Sequence, residues 1–478
     1  MAGYITGIKN ELPFYYFEEI SKIPRGSGNE EKITKYICNF AAERGIKHLK
    51  DENKNVLITK NATPGRENEA PILLQAHTDM VCEKNRASVH DFLKDPINLI
   101  QENNILRADG TTLGADDGFG VALMLAILDE KKISHPRVEC LFTAGEEIGL
   151  VGASLFDYSS ITAKRLINLD SAEEDTIIIG CCGGVRTSLT LPVKAEKSEN
   201  NAYRAYIGGL FGGHSGEDID RGRQNANVLM GKLLEYLSEK DKIRIAYIDG
   251  GDRDNAIPRE CEAIFTSSLR KEDIESGLKE YLKNFIKARE DEKFSVSIEK
   301  ADTPKAFSVN DTKKLIKILS TPNGVLQYRN TEPMLPKTSR NLARVRIADG
   351  CIEVGFSSRS YLDTGLDECM KELDALAHEI GGSTYHHERY PGWESPRESK
   401  LVTDYVRAFK TVNGKEPNIT LIHAGLECGI ITGSVPHMEA ISIGCNVHDL
   451  HTPYETMEID SMDRIYDTVK AFLSNKSL

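Results

Sequence analysis

His77-Thr78-Asp79 follows an apolar run, Pro71 to Ala76, and opens a series of imidazole and carboxylate groups spaced along the chain. The others are Asp116-Asp117, Glu146-Glu147, Asp170 and His451. Short apolar segments precede several of them. Leu141-Phe142 comes before the glutamate pair, Leu166 to Leu169 before Asp170, and Ile441 to Ile443 leads through Gly444 toward His451. In an open α/β sheet ligands bind beyond the carboxyl ends of the strands, so groups at several strand ends converge on one site. Imidazole nitrogen mixed with carboxylate oxygen suits zinc. The expected chemistry is hydrolysis at a two-metal centre.

Each group has a plainer reading when taken alone. A histidine at a strand end is more often structural, and Asp116-Asp117 in Leu113-Gly-Ala-Asp-Asp-Gly118 resembles a helix N-cap. The two aspartates can divide the work, one bridging two cations while the other points away. Adjacent glutamates after a strand are normally solvated. In the active reading one ligates a metal and the other takes a proton from the attacking water. Asp79 is placed to orient His77, since a ligand imidazole usually passes its second ring proton to a carboxylate or carbonyl. His448 competes with His451 for the ligand role. The glycine-rich stretch Gly208 to Gly216 lacks the Gly-Lys-Ser/Thr of a phosphate loop. Its glycines let backbone approach a ligand closely, and His214 within it can donate to a developing oxyanion.

These groups need a frame. Asn29 to Ala41 has helical spacing, Val56 to Ile58 and Ile72 to Leu74 read as strands, and Gly118 to Leu128 reads as a buried helix. Val138 to Thr143 and Leu166 to Leu169 read as short buried strands. This alternation predicts a mostly parallel sheet covered on both faces. From residue 187 the order changes to β-α-β-β-α-β, a split βαβ unit, with one long helix expected over Lys271 to Lys287. A second such unit follows in outline: helix Thr312 to Leu319, strands Asn341 to Ile347 and Cys351 to Ser358, helix Leu366 to Ile380 and strand Ser383 to His387. After Tyr390-Pro-Gly-Trp393 the α/β style returns. The expected division is a discontinuous α/β catalytic domain, 1–186 and 390–478, interrupted by an inserted α+β lid domain, 187–389.

With 478 residues the chain exceeds what one core supports. Its net charge of −13 argues against nucleic acid or an anionic membrane as partner. No basic segment leading into an apolar core opens the chain, and no apolar stretch approaches the ~20 residues that span a bilayer. The 10 cysteines include no CxxC pair and read as reduced thiols in a cytoplasm.

The whole set resembles the M20 metallopeptidases, the co-catalytic zinc aminopeptidase-like family. The resemblance rests on His77-Thr-Asp79, Gly114-Ala-Asp-Asp117, Gly145-Glu-Glu147, Asn168-Leu-Asp170, Gly212-Gly-His-Ser-Gly216, Asn255-Ala-Ile-Pro258 and His451. Pro24-Arg-Gly-Ser-Gly28, Thr338-Ser-Arg-Asn-Leu342, Tyr390-Pro-Gly-Trp393 and His423-Ala-Gly-Leu-Glu-Cys-Gly429 look closest to the aminoacyl-histidine dipeptidases. The resemblance implies a zinc-aminopeptidase-like fold and two zinc ions, with manganese or cobalt as substitutes. It implies that Asp116 bridges the ions, that His77 and Asp170 complete one site, and that Glu147 and His451 complete the other. Asp79 then orients His77, and Glu146 is the general base toward a water activated between the two zincs. His214, Arg359, Gly425 and Glu427 fall to the substrate, Arg359 facing its carboxylate. The implied activity is cleavage of unblocked dipeptides, including those ending in histidine. The competing readings are tripeptide cleavage or N-acyl amino-acid deacylation on the same metals, and a zinc-binding protein without catalysis, which would have no use for Glu146. The family relation allows a homodimer; a doubled lid would supply the same arrangement within one chain.

Overall fold

The computed structural model describes residues 5–303, 305–331 and 334–475. Its contacts divide it into two units. The first runs to Cys181, resumes over Trp393–Ile422 and continues from Leu426. The second comprises Cys182–Gly392 and the short return His423–Gly425. The changes of unit thus fall at Cys181/Cys182 and Gly392/Trp393 rather than at 186/187 and 389/390. No linker marks them. Thr176–Cys181 pairs in the first sheet, and Gly183–Pro192 already pairs in the second.

The first unit is built on a nine-stranded sheet. At its centre Val138–Thr143, Ile72–His77, Arg165–Asn168 and Glu439–Ser442 lie side by side, all parallel. The pairings His77↔Thr143, Gln75↔Asn168 and Ser442↔Asn168 bring their carboxyl ends to one edge. Side chains alternate between the faces, as strand geometry requires. Ile72, Leu74 and Ala76 join one buried cluster, with Phe14, Phe40, Phe119, Tyr405 and Phe472. Leu73, Leu141 and Leu166 join another, with Trp393, Cys428 and Ile431. Both faces are covered, which explains why these strands read as unbroken apolar runs. The helix Ala115–Asp129 is buried over nearly its whole length. Its first turn departs from helical geometry at Asp116 (φ −78°, ψ 112°) and Asp117 (φ −106°, ψ 42°).

The second unit has its own sheet and its own core, centred on Leu229, Leu233, Phe265, Leu315 and Phe356. One split βαβ runs Asn201–Gly208, Ala226–Ser238, Arg244–Gly250, Cys261–Ser267, two short helices and Ser295–Ala301. The second copy joins it edge to edge where Arg244–Gly250 meets Pro336–Ala348. The first strand of that second copy is Gly183–Pro192, which precedes the whole first copy in sequence and lies between Cys351–Ser360 and Ser383–Tyr390. The single helix expected over Lys271 to Lys287 is two, Lys271–Glu275 and Leu278–Lys283. Gly277 between them has φ +75°, a left-handed conformation that ends a helix. Among the described residues no disulfide joins any of the ten cysteines.

Candidate metal centre

Four loops leave the parallel edge of the first sheet and meet. His77 ends its own strand and is 1% exposed. Its Nε2 lies 2.9 Å from Asp116 Oδ1 and 3.7 Å from Asp170 Oδ1. His451 Nε2 approaches the other oxygen of the same carboxylate, 3.1 Å from Asp116 Oδ2, and lies 3.0 Å from Glu147 Oε1. One imidazole therefore stands on each oxygen of Asp116. Asp170 joins the His77 side and Glu147 the His451 side. Within each trio the donor atoms lie within 4.8 Å of one another. Glu146 joins His77 and Glu147 in a third such group. His448, the rival of His451, is exposed and faces Glu458 at 3.2 Å instead.

The neighbours of these groups fix them through the main chain. Asp79, 0% exposed, accepts from the backbone N–H of Glu146 at 3.0 Å and of Glu147 at 3.2 Å. Its carboxylate also lies 3.5 Å from His77 Nδ1. Asp117 turns away from the cluster and accepts from His77 N and from Gly120 N, the latter in the manner of a helix cap. Glu427, also wholly buried, accepts from Gln75 Nε2 and from Thr143 Oγ1 beside the cluster.

Burial is the largest influence on the acids, and it penalises charge. It pushes Glu146, Asp170 and Asp117 well above the usual carboxylate range, with neighbouring carboxylates adding to the effect. Glu147 moves the same way, and Glu427 is pushed up to about 7. Asp116 moves down, because hydrogen bonds from His451 and His77 outweigh its burial. Hydrogen bonds to Asp116 and Glu147 raise His451 to about 11. In His77 the bonds to Asp116 and Asp79 overcome burial and raise the imidazole well above its ordinary value. Four carboxylates and two imidazoles crowded in this way must hold extra protons or bind cations. The donor set fits a pair of divalent cations: His77 and Asp170 would serve one, Glu147 and His451 the other, with Asp116 between them.

A second group of polar residues assembles in the other unit. Arg359 is 7% exposed, and its Nη1 donates to the Tyr390 hydroxyl at 2.9 Å. His423 Nε2 is 2.8 Å from Ser339 Oγ. Burial, with Arg359 and His214 nearby, holds the His423 imidazole down at about 3, so it is neutral near pH 7. A Cβ at Gly216 would meet the His423 carbonyl oxygen at 2.2 Å, His214 Cε1 at 3.1 Å and Arg359 Nε at 3.3 Å. The absent side chain is what lets these three approach. Gly425 serves similarly, for a Cβ there would stand 2.7 Å from the Tyr390 ring. The His214 backbone N–H is held by Asp218 Oδ2 at 2.8 Å.

Comparison with known proteins settles the family. Residues 73–475 match the model of peptidase family M20/M25/M40. The chain belongs to the M20 peptidases. It is 36% identical over 465 residues to the cytosol non-specific dipeptidase of Escherichia coli K12, covering 96% of each chain. The aminoacylhistidine dipeptidase of Vibrio alginolyticus superposes with a TM-score of 0.84 at 32% identity, over 98% of this chain and 97% of that one. The aminopeptidase PepT of Bacillus cereus, at 17% identity and a TM-score of 0.57 over 98% of each chain, shares the fold.

In this M20 metallopeptidase, sequence reasoning passed over four residues. Arg25, Tyr390 and His423 sit in motifs that marked the resemblance but carried no role, and Glu455 was not singled out. All but Tyr390 are nearly buried, Arg25 at 3%, Glu455 at 2% and His423 at 6%. Burial of a charged or imidazole side chain is their signal, and it is a tertiary property. Among the described residues no helix is long and apolar enough to cross a membrane.

Proposed function

We propose that this M20 peptidase hydrolyses unblocked dipeptides, those ending in histidine included, in the cytoplasm. The observation that carries the reading is the arrangement around Asp116, with an imidazole on each of its oxygens and one further carboxylate on either side. His77, Asp116 and Asp170 would hold one cation, and Asp116, Glu147 and His451 the other, with zinc the natural occupant of such a nitrogen and oxygen set. Such a pair supplies Lewis acidity toward the scissile carbonyl and toward water.

The remaining work falls to side chains of the chain itself. Glu146 lies in the cluster without being needed in either trio around Asp116. Its carboxylate takes the proton from the attacking water and returns it to the leaving amine. Asp79 holds His77 on one side and the Glu146-Glu147 backbone on the other, so one carboxylate sets the ligand and the base in register. Arg359, oriented by Tyr390, pairs with the free C-terminal carboxylate of the substrate. His214 donates to the developing oxyanion. Gly425 leaves room for Tyr390, and Glu427 supports the strand end beneath His77 through Gln75.

The kinship with the Escherichia coli and Vibrio dipeptidases supports the choice of dipeptides. The test compares a dipeptide, its C-terminal amide and the corresponding tripeptide at equal metal occupancy. The expected result is a sharp fall in kcat/KM for both altered substrates. An added residue shifts the carboxylate by up to ~3.6 Å, too far for one fixed anchor. Equal kcat/KM for all three would remove the carboxylate anchor and with it the dipeptide assignment.

A further inference from the structure

Two buried, oppositely charged side chains of the first unit touch the ligand-bearing loops only through main-chain atoms. Glu455 follows His451 by four residues and is 2% exposed. Its Oε2 accepts from Leu113 N at 2.8 Å and Gly114 N at 2.9 Å, and its Oε1 from Ala115 N at 2.8 Å and Asp116 N at 3.2 Å. A single carboxylate thus clasps four successive N–H groups that end at the shared ligand. Arg25 lies across the same segment. Its Nη2 donates to the Gly114 carbonyl, and its Nη1 to the carbonyls of Thr78 at 3.1 Å and Asp79 at 3.0 Å. The fit leaves no room for side chains: a Cβ at Gly114 would lie 2.7 Å from Arg25 Nη2, and one at Gly118 2.5 Å from it. Ser27, two residues on, donates to Asp79 Oδ2 at 2.7 Å.

We propose that Arg25 and Glu455 are positioning residues that together set the spacing of the two cation sites, Arg25 by joining the His77 loop to the Asp116 loop and Glu455 by joining the His451 loop to the same segment. The inference rests on the metal-centre reading above. A surface loop is free to shift by more than the few tenths of an ångström that a metal bond tolerates. Neither charge reaches the cluster with its own side chain, yet both act on the backbone that carries Asp116, the residue common to the two trios. A carboxylate answers four N–H groups because it is acceptor-only, with about four lone-pair sites. A guanidinium answers three carbonyls on two strands of chain because its donors are fixed in a planar fork. Neither lysine nor glutamine meets these demands.

The test uses Glu455→Gln and Arg25→Lys in the whole chain, with Glu139→Gln as control. Glu139 is a buried carboxylate of the same unit with the same kind of work, accepting from Thr162 N at 3.0 Å and Ala163 N at 3.1 Å. It lies at the other end of its strand from the cluster. Zinc and cobalt are titrated into metal-free protein against a chromophoric chelator, and the visible spectrum of the cobalt form and the Tm of the metal-free form are recorded. Loss of a residue that orients metal ligands typically weakens metal binding by about 10–100-fold. The expected result is a weakening of that size in both variants, with an altered cobalt spectrum, while Glu139→Gln lowers Tm and leaves affinity and spectrum as in the wild type. Cation affinity and cobalt spectrum unchanged in Glu455→Gln, with only Tm reduced, would make the pair merely structural and overturn the proposal. If Glu455→Gln gives no folded protein, Arg25→Lys, which keeps the charge, decides by the same titration. A wild-type chain that bound no divalent cation would instead sink the metal-centre reading itself.

Discussion

The two units hold their polar groups in different ways. In the first, the cluster is crowded with carboxylates, and the buried residues behind it act largely through main-chain contacts: Asp79 on two N–H groups, Glu455 on four, Arg25 on three carbonyls. In the second, Arg359, Tyr390, His423 and Ser339 meet side chain to side chain, with glycines making the room. Main-chain anchoring fixes a geometry whatever the side chains do, which suits groups that must hold cations at set distances. Side-chain contacts re-form cheaply, which suits the proposed task of meeting and releasing a substrate. On the proposed reading the first unit carries the cation ligands and the base, and the second carries His214 and Arg359, which meet the substrate. Substitutions in the first unit should therefore change metal content or the base, and those in the second should leave the metals in place.

Removing Asp116 should have the largest effect. Asp116→Asn is expected to lose both cations and all measurable hydrolysis, read by elemental analysis and by a dipeptide assay; chelation of the wild type should do the same, reversed by zinc, cobalt or manganese. Full turnover in a preparation proved metal-free would collapse the contrast between the units. Glu146→Gln comes next. It should retain the metals and the fold and lose turnover by about 10²–10⁴-fold, the usual cost of a general base. Glu147→Gln should instead lose metal, and the opposite pattern would exchange the two roles.

Substitutions in the second unit should have smaller effects and leave the metal content unchanged. His214→Ala is expected to lower kcat by about 10²–10³-fold, as loss of one oxyanion donor does, with metal content intact. An unchanged kcat would confine His214 to its loop. Tyr390→Phe removes one hydrogen bond from Arg359, worth about 1 kcal/mol, and should raise KM roughly fivefold with little change in kcat. A fall in kcat alone would blur the distinction between grip and chemistry. The mildest effect concerns pH. His423 is held at about 3 when folded, against 6.5 for a free imidazole, so the unfolded chain binds the extra proton between these values. Stability from this residue is therefore complete above about pH 6.5 and is lost as pH falls toward 3. Tm of the metal-free protein should drop less steeply over that range in His423→Gln than in the wild type; parallel curves would show that His423 is not buried neutral.

What the sequence revealed follows the same split. His77, Glu147 and Asp170 were legible because a parallel sheet brings strand ends together and apolar runs locate strand ends, whereas Asp116 lies in the first turn of a buried helix and was legible from its doubled aspartate motif. Gly183–Pro192 could not be placed from sequence, since its neighbours Cys351–Ser360 and Ser383–Tyr390 are remote and no local pattern names them. The long helix expected over Lys271 to Lys287 failed at Gly277, where one left-handed residue outweighed a helical composition. Arg25 and Glu455 look like ordinary charged residues in the sequence. Only the fold shows that neither has water to turn to.

The order of the ligands along the chain has a consequence for biosynthesis. His451 follows Asp116 by 335 residues. At roughly 5–20 residues per second of translation, Asp116 waits roughly 20–70 s for its second imidazole. The intervening unit has a core of its own and can begin folding during that interval. Until His451 and Glu455 have been made, a nascent chain offers only the His77, Asp116 and Asp170 half of the proposed centre, so a second cation would have no site before residue 451 is added.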